Sequence, residues 1–227
     1  MKLRTKSRLL IMLLIVFSGV SLSQQPVNRV PTYNWTGLTI RDLKIDSKNI
    51  HMALSEIASS CNVPIGLEVS PKDDLLNGVK VSLDVKEGRL DYVLNSIVSQ
   101  NPLYTWAADN GVINVFPKDP SRDLLLKKLL ETDIGEISLR KGISRFNFRE
   151  YVTEKEEIKR VLDSENISPE NQVFSSRDIR PLGSNFSLNT ENVTLRSLLN
   201  SVVKSSETKY WIINRIGEKR QYLLLNL

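Results

Sequence analysis

"GRLDYVLNSIV", residues 88–98, and "VTLRSLLNSVV", residues 193–203, are the two stretches whose reading decides the fold. In the first, Leu90, Val93, Leu94, Ile97 and Val98 recur at the helical period and make one apolar stripe. In the second, the stripe is Leu195, Leu198, Leu199, Val202 and Val203, each 105 residues after its counterpart. Asn95-Ser96 and Asn200-Ser201 repeat as well, on the polar side, where packing of the stripe does not account for them. An alternating run precedes each helix, "VSLDV" at 81–85 and "FSLNT" at 186–190. A two-strand pattern follows each, "LYTWAADNGVINVF" at 103–116 and "KYWIINRIGEKRQYLLLNL" at 209–227. Agreement over strand, helix and hairpin together points to an internal duplication.

Working upstream, "LTIRDLKI" (38–45) reads as a strand and Asn49 as the N-cap of a helix. That helix carries Ile50, Ala53, Leu54, Ile57, Ala58 and Cys61 on one face, so Cys61 is expected to end a buried stripe. "VPIGLEV" (63–69) is short, apolar and extended, and "VKVSLDV" (79–85) alternates with period two. Asn110-Gly111 is the turn signal of a two-residue hairpin. The order is strand, helix, strand, strand, helix, strand, strand, which predicts an α+β fold of small two-helix modules flanked by short β-sheets. In the second half, "TEKEEIKRVL" (153–162) offers a capping box in Thr153 and Glu156 and an apolar face in Ile158, Val161 and Leu162. It diverges at Glu165 and Asn166, and residues 121–148 fit either a helix ("RDLLLKKLLE") or a strand. The expected organisation is a signal peptide at 1–23, a linker at 24–36, one module at 37–118 and a degenerate second module at 119–227.

The N-terminus predicts export. Lys2, Arg4, Lys6 and Arg8 precede the apolar run "LLIMLLIVFSGV", and Ser21 and Ser23 are placed for cleavage before Gln24. The run has about a dozen residues, against roughly 20 for a membrane span, so membrane attachment is expected only if this segment stays uncleaved. The chain of 227 residues has a formal net charge of +5, from 31 basic and 26 acidic residues. Residues 1–23 hold four of the basic residues and no acid, which leaves 27 against 26, a net of +1. That balance gives no support to a nucleic-acid partner.

The stretch "LKIDSKNIHMALSEIASSCNVPIGLEV" followed by "VKVSLDVKEGRLDYVLNSIVSQNPLYTWAADNGVINVF" resembles the secretin and TonB short N-terminal (STN) domain family. The matching positions are Ala53-Leu54, Ile65 to Val69, Val81 to Val85, Leu90 and Leu94, and Val112 to Val115. The resemblance covers residues 38–117 and, in the second half, 182–227. It implies a periplasmic module with two helices between small sheets that makes protein–protein contacts at the outer membrane. No β-barrel, plug or secretin core follows before Leu227, so the transport role of such proteins is not expected of this chain.

Chemistry is sparse. His51 is the one histidine, off the apolar stripe, and neither a His-based triad nor a metal-ligand spacing is present. Ten glycines form no phosphate-binding loop, and carboxylate pairs such as Asp73-Asp74 and Glu156-Glu157 lie in polar surroundings. No enzyme, cofactor or metal site is therefore expected. Tyr104, Trp106, Tyr210 and Trp211 in the hairpin strands, and Trp35 in the linker, are the candidate interaction residues. The expected function is an exported, periplasmic or secreted interaction module that binds a cell-envelope protein through sheet edges or helix faces. The alternative is a binder of a small ligand or cell-wall glycan, with peptidoglycan as the candidate partner, in a groove between the modules.

Overall fold

A computed structural model describes residues 35–69, 73, 78–119, 123–169, 180–216 and 221–227. The expected signal peptide with its Ser23/Gln24 cleavage site, and residues 24–34 of the linker, lie outside the described residues.

The first half is built as its periodicities predict. Strand β1 (Thr39–Asn49) buries Ile40, Leu43 and Ile45 and pairs antiparallel with β3 (Lys80–Arg89). Positive φ at Asp42 and Ser47, with a register shift between Ile45 and Lys48, bends the ribbon. Helix α1 (Ile50–Cys61) starts where the Asn49 side chain accepts a hydrogen bond from the Met52 amide at 2.8 Å, and it stops at left-handed Asn62. Strand β2 (Ile65–Glu68) is buried at every residue. Helix α2 (Leu90–Gln100) turns Leu90, Val93, Leu94 and Ile97 inward. Strands β4 (Tyr104–Asp109) and β5 (Val112–Pro117) close on Asn110 and Gly111, whose φ values of 49° and 81° fit a primed two-residue turn.

The second half contains α3 (Leu124–Glu131), β6 (Ile137–Leu139), α4 (Arg145–Thr153), α5 (Glu156–Ser164), β7 (Ile167–Pro169), β8 (Leu188–Thr190), α6 (Leu195–Ser205), β9 (Tyr210–Ile216) and β10 (Gln221–Asn226). The expected capping box at Thr153 and Glu156 is not formed. Phe148 and Val152, buried at i and i+4, extend a separate helix upstream, and Thr153 ends it with its hydroxyl bonded to the carbonyls of Arg149 and Glu150. Helix α5 then begins after Lys155 without a side-chain cap. Cys61 is half-buried at the margin of its core rather than enclosed.

The same connectivity occurs in both halves. A two-stranded antiparallel sheet, β1–β3 or β6–β8, accompanies a three-stranded set, β4-β5-β2 or β9-β10-β7, in which one pair is parallel and one antiparallel. The halves differ in their helices: α3 has no counterpart in the first half, and α4 and α5 together stand where the first half has α1 alone. The two triplets are not separate sheets. Strand β2 pairs in parallel with both β5 and β9, giving one six-stranded sheet in the order β4-β5-β2-β9-β10-β7. Alternation then divides the core. Ile65, Leu67, Ile113, Val115, Tyr210 and Ile212 face α1 and α2, whereas Val112, Trp211, Ile213, Leu223 and Leu225 face the helices of the second half. The helices of the two halves therefore cover opposite faces of a shared sheet.

Gly66 makes that sharing possible. It is the register partner of Trp211, and a Cβ at position 66 would lie 2.2 Å from Trp211 Cε2 and 2.3 Å from Cζ2. Trp211 is fully enclosed and cannot swing aside. Gly66→Ala should therefore destabilise the protein by about 3 kcal/mol through overpacking, lowering Tm by roughly 10 °C. Gly37→Ala, where nothing lies within 4 Å of the added Cβ, is the control and should leave Tm unchanged. Equal melting of the two variants would contradict the tight β2–β9 junction.

Candidate functional site

The two helices singled out by their repeated letters each hold a tryptophan of the following strand. Trp106 Nε1 donates to Asn95 Oδ1 at 3.0 Å, and Trp211 Nε1 donates to Asn200 Oδ1 at 2.9 Å. The recurring asparagine, which the apolar stripe leaves unaccounted for, is thus an acceptor for the indole N–H eleven residues on. The two sites differ in what lies beside them. In the second half β2 flanks β9, Asn200 is 7% exposed and Trp211 is 0% exposed. In the first half β4 ends the sheet, Asn95 is exposed and Trp106 is half-buried.

The backbone of β4 is laid out for pairing. In a two-residue hairpin the residues flanking the turn, here Asp109 and Val112, form a hydrogen-bonded pair. Successive residues alternate, so the N–H and C=O of Trp106 and Ala108 point away from β5. The equivalent carbonyls of β9 point at β2, where Ile65 N–H donates to Lys209 O at 2.9 Å and Val69 N–H donates to Ile213 O at 3.0 Å. The β4–β5 hairpin is also held at its tip, because Lys204 Nζ donates to Asn110 O at 2.7 Å and Trp35 Nε1 donates to Gly111 O.

Three other edge strands, β1, β3 and β7, are guarded. Strand β1 carries Arg41, Asp42, Lys44, Asp46 and Lys48 and is bent by its bulge. On β3, the Gln100 side chain takes both backbone groups of Ser82, accepting from its N–H at 2.9 Å and donating to its carbonyl at 3.0 Å. Strand β7 has three residues and ends in Pro169. These are the usual devices against edge pairing. Strand β4 reads Tyr-Thr-Trp-Ala-Ala before its first charge at Asp109.

The sequence-predicted aromatics do not form one platform. Tyr104 is 2% exposed and donates to Asp73 Oδ2 at 2.9 Å. Tyr210 lies on the opposite side of its strand from Trp211, 2.9 Å from His51 Nδ1, and burial pushes its phenol well above the usual range. His51, although off the apolar stripe of its helix, is half-buried against that tyrosine, and burial lowers its pKa. Trp211 presents no surface, and Trp35 is folded back onto the first core. Trp106 alone of the hairpin aromatics is only half-buried at an open edge.

A second feature escaped the sequence reading. An open cleft where β2 and the end of β5 meet α3 and α6 is lined by Glu68, Phe116, Asp123, Lys127, Glu131 and Arg196. Glu68 Oε1 lies 3.0 Å from Arg196 Nη2, without the alignment of a hydrogen bond. Burial pushes the Glu68 carboxyl up to about 7, against the pull of Arg196 and aided by Glu131. The "IGLE" of β2 gave no sign of this, because the meeting of Glu68 with Arg196 depends on the β2–β9 junction. Among the described residues no group of His, Cys, Asp and Glu is placed to hold a metal ion, and no helix is long and apolar enough to cross a membrane. No family model and no curated protein matches the chain.

The Glu68 shift has a definite sign. The folded carboxyl titrates at about 7 and an unperturbed glutamate at 4.5, so its contribution to stability is fullest below pH 4.5 and is lost as pH rises through 7. Glu68→Gln removes that titration. Between pH 5 and pH 8 the unfolding free energy of the natural protein should fall by about 2 kcal/mol more than that of the variant, measured in urea. Parallel pH curves for the two proteins would contradict a carboxyl whose pKa is raised by burial.

Proposed function

We propose that this chain is an exported, periplasmic, non-enzymatic interaction module. In this reading it consists of two STN-like units that arose by duplication, the second with a divergent start, and it binds a cell-envelope protein by receiving a strand on the outer edge of β4. The observation that carries the reading is the contrast between edges. Strand β4 has six residues, ends the sheet and is uncharged up to Asp109, whereas β1, β3 and β7 carry bulges, charges, a side-chain plug or proline. Main-chain hydrogen bonds supply affinity in such strand addition, and the flanking side chains supply selectivity. The hairpin tip, tied by Lys204 and Trp35, keeps the edge in place before a partner arrives, which lowers the ordering cost of binding.

A second reading, a binder of a small ligand or glycan between the halves, rests on the Glu68–Arg196 cleft with Lys127 at its rim. It predicts a saturable rise in Tm with muropeptides that Arg196→Ala abolishes.

The leading reading is tested with Ala108→Pro. Proline at this position removes an outward N–H and leaves the β4–β5 pairing intact. With Tm preserved, the variant should lose, by at least about tenfold, the envelope protein that the natural mature chain captures from envelope extracts. Unchanged capture by the folded variant would rule out the β4 edge as the binding surface.

A further inference from the structure

The fold contains its own example of what a strand on this kind of edge must look like. Strand β9 is the counterpart of β4 in the second half, and β2 is seated on it in parallel, Ile65 opposite Tyr210, Gly66 opposite Trp211, Leu67 opposite Ile212 and Glu68 opposite Ile213. The indole of Trp211, held by Asn200, lies over Gly66 so closely that a Cβ there would meet Cε2, Cζ2 and Nε1 at 2.2, 2.3 and 2.5 Å. Trp106 is fixed by Asn95 through the same hydrogen bond, at the same spacing from its helix, on an edge where no neighbouring strand lies among the described residues. Resting on the proposed use of the β4 edge, we infer that its partner is an extended segment that runs parallel to β4 and carries glycine opposite Trp106, flanked by apolar residues.

The charge beside that glycine follows from the helices. Two residues beyond Gly66, Glu68 meets Arg196 at 3.0 Å. The residue of α2 that matches Arg196, 105 positions earlier, is Asp91, half-buried in the first turn of the helix and paired with Arg89 at 2.6 Å. The preferred residue two places after the partner's glycine is therefore basic, the reverse of Glu68. The partner segment thus has the pattern apolar-Gly-apolar-Lys/Arg. The strand at the other end of this sheet does not fit this description, since β7 offers Ile167, Ser168 and Pro169, with no glycine and a proline that lacks the donor.

The probe is a blocked peptide with the sequence of residues 63–69, "VPIGLEV", added to the isotope-labelled mature chain. Amide shifts should concentrate at Trp106, Ala107 and Ala108 and at the Trp106 indole. Replacing the peptide's glycine by alanine should weaken binding at least about tenfold, and replacing its glutamate by lysine should tighten it severalfold. Equal binding of the glycine and alanine peptides, shifts confined to other strands, or no shifts at millimolar peptide would each overturn the inference. Loss of envelope capture by Ala108→Pro in that case would leave the edge itself standing and remove only the strand chemistry assigned here.

Discussion

Everything in this molecule depends on β2 being able to lie against β9. Each half supplies a three-stranded set with one open side, and the two become a single sheet because residue 66 has no side chain to oppose the indole of Trp211. The join buries Ile65 and Leu67 on one face and Trp211 and Ile213 on the other. Each fully buried aliphatic side chain contributes about 1.5–3 kcal/mol. Two small cores, each marginal alone, are thereby coupled through a shared wall.

The same join explains why the two halves, alike in connectivity, differ in surface. Around Trp211, the neighbouring strand excludes water, and burial drives Glu68 toward the neutral form against the pull of Arg196. Around Trp106, the tryptophan–asparagine bond is present, and among the described residues no strand lies beside it. An arrangement that is structural in one half is left available in the other. That asymmetry underlies the proposed binding role, and the charge reversal from Arg196 to Asp91 gives it direction.

Much of the fold was legible in local patterns. The stripes of α1, α2 and α6, the Asn49 cap and the Asn110-Gly111 turn are each written in a few adjacent residues, and they formed as read except at Cys61, which is half-buried at the end of the α1 stripe. Two things were not legible. Helix α4 hides behind aromatic residues, Phe146, Phe148 and Tyr151, whose spacing suits helix or strand, so Thr153 looked like a beginning when it is an end. The β2–β9 pairing links residues about 145 positions apart and leaves no local periodicity, which is also why the Glu68–Arg196 cleft and the tyrosine–histidine contact went unseen. The repeated asparagines were visible as letters, but their role required the strand that places an indole above them.

Native-state hydrogen exchange on the mature chain tests the account most directly, because it compares equivalent amides at the joined and open edges. The Trp211 and Ile213 amides, facing β2, should exchange through global unfolding, whereas those of Trp106 and Ala108 should exchange at least about a thousandfold faster. Comparable protection at the two sets of positions would mean either that β4 is already covered or that β2 does not bind the halves together, and would contradict the account.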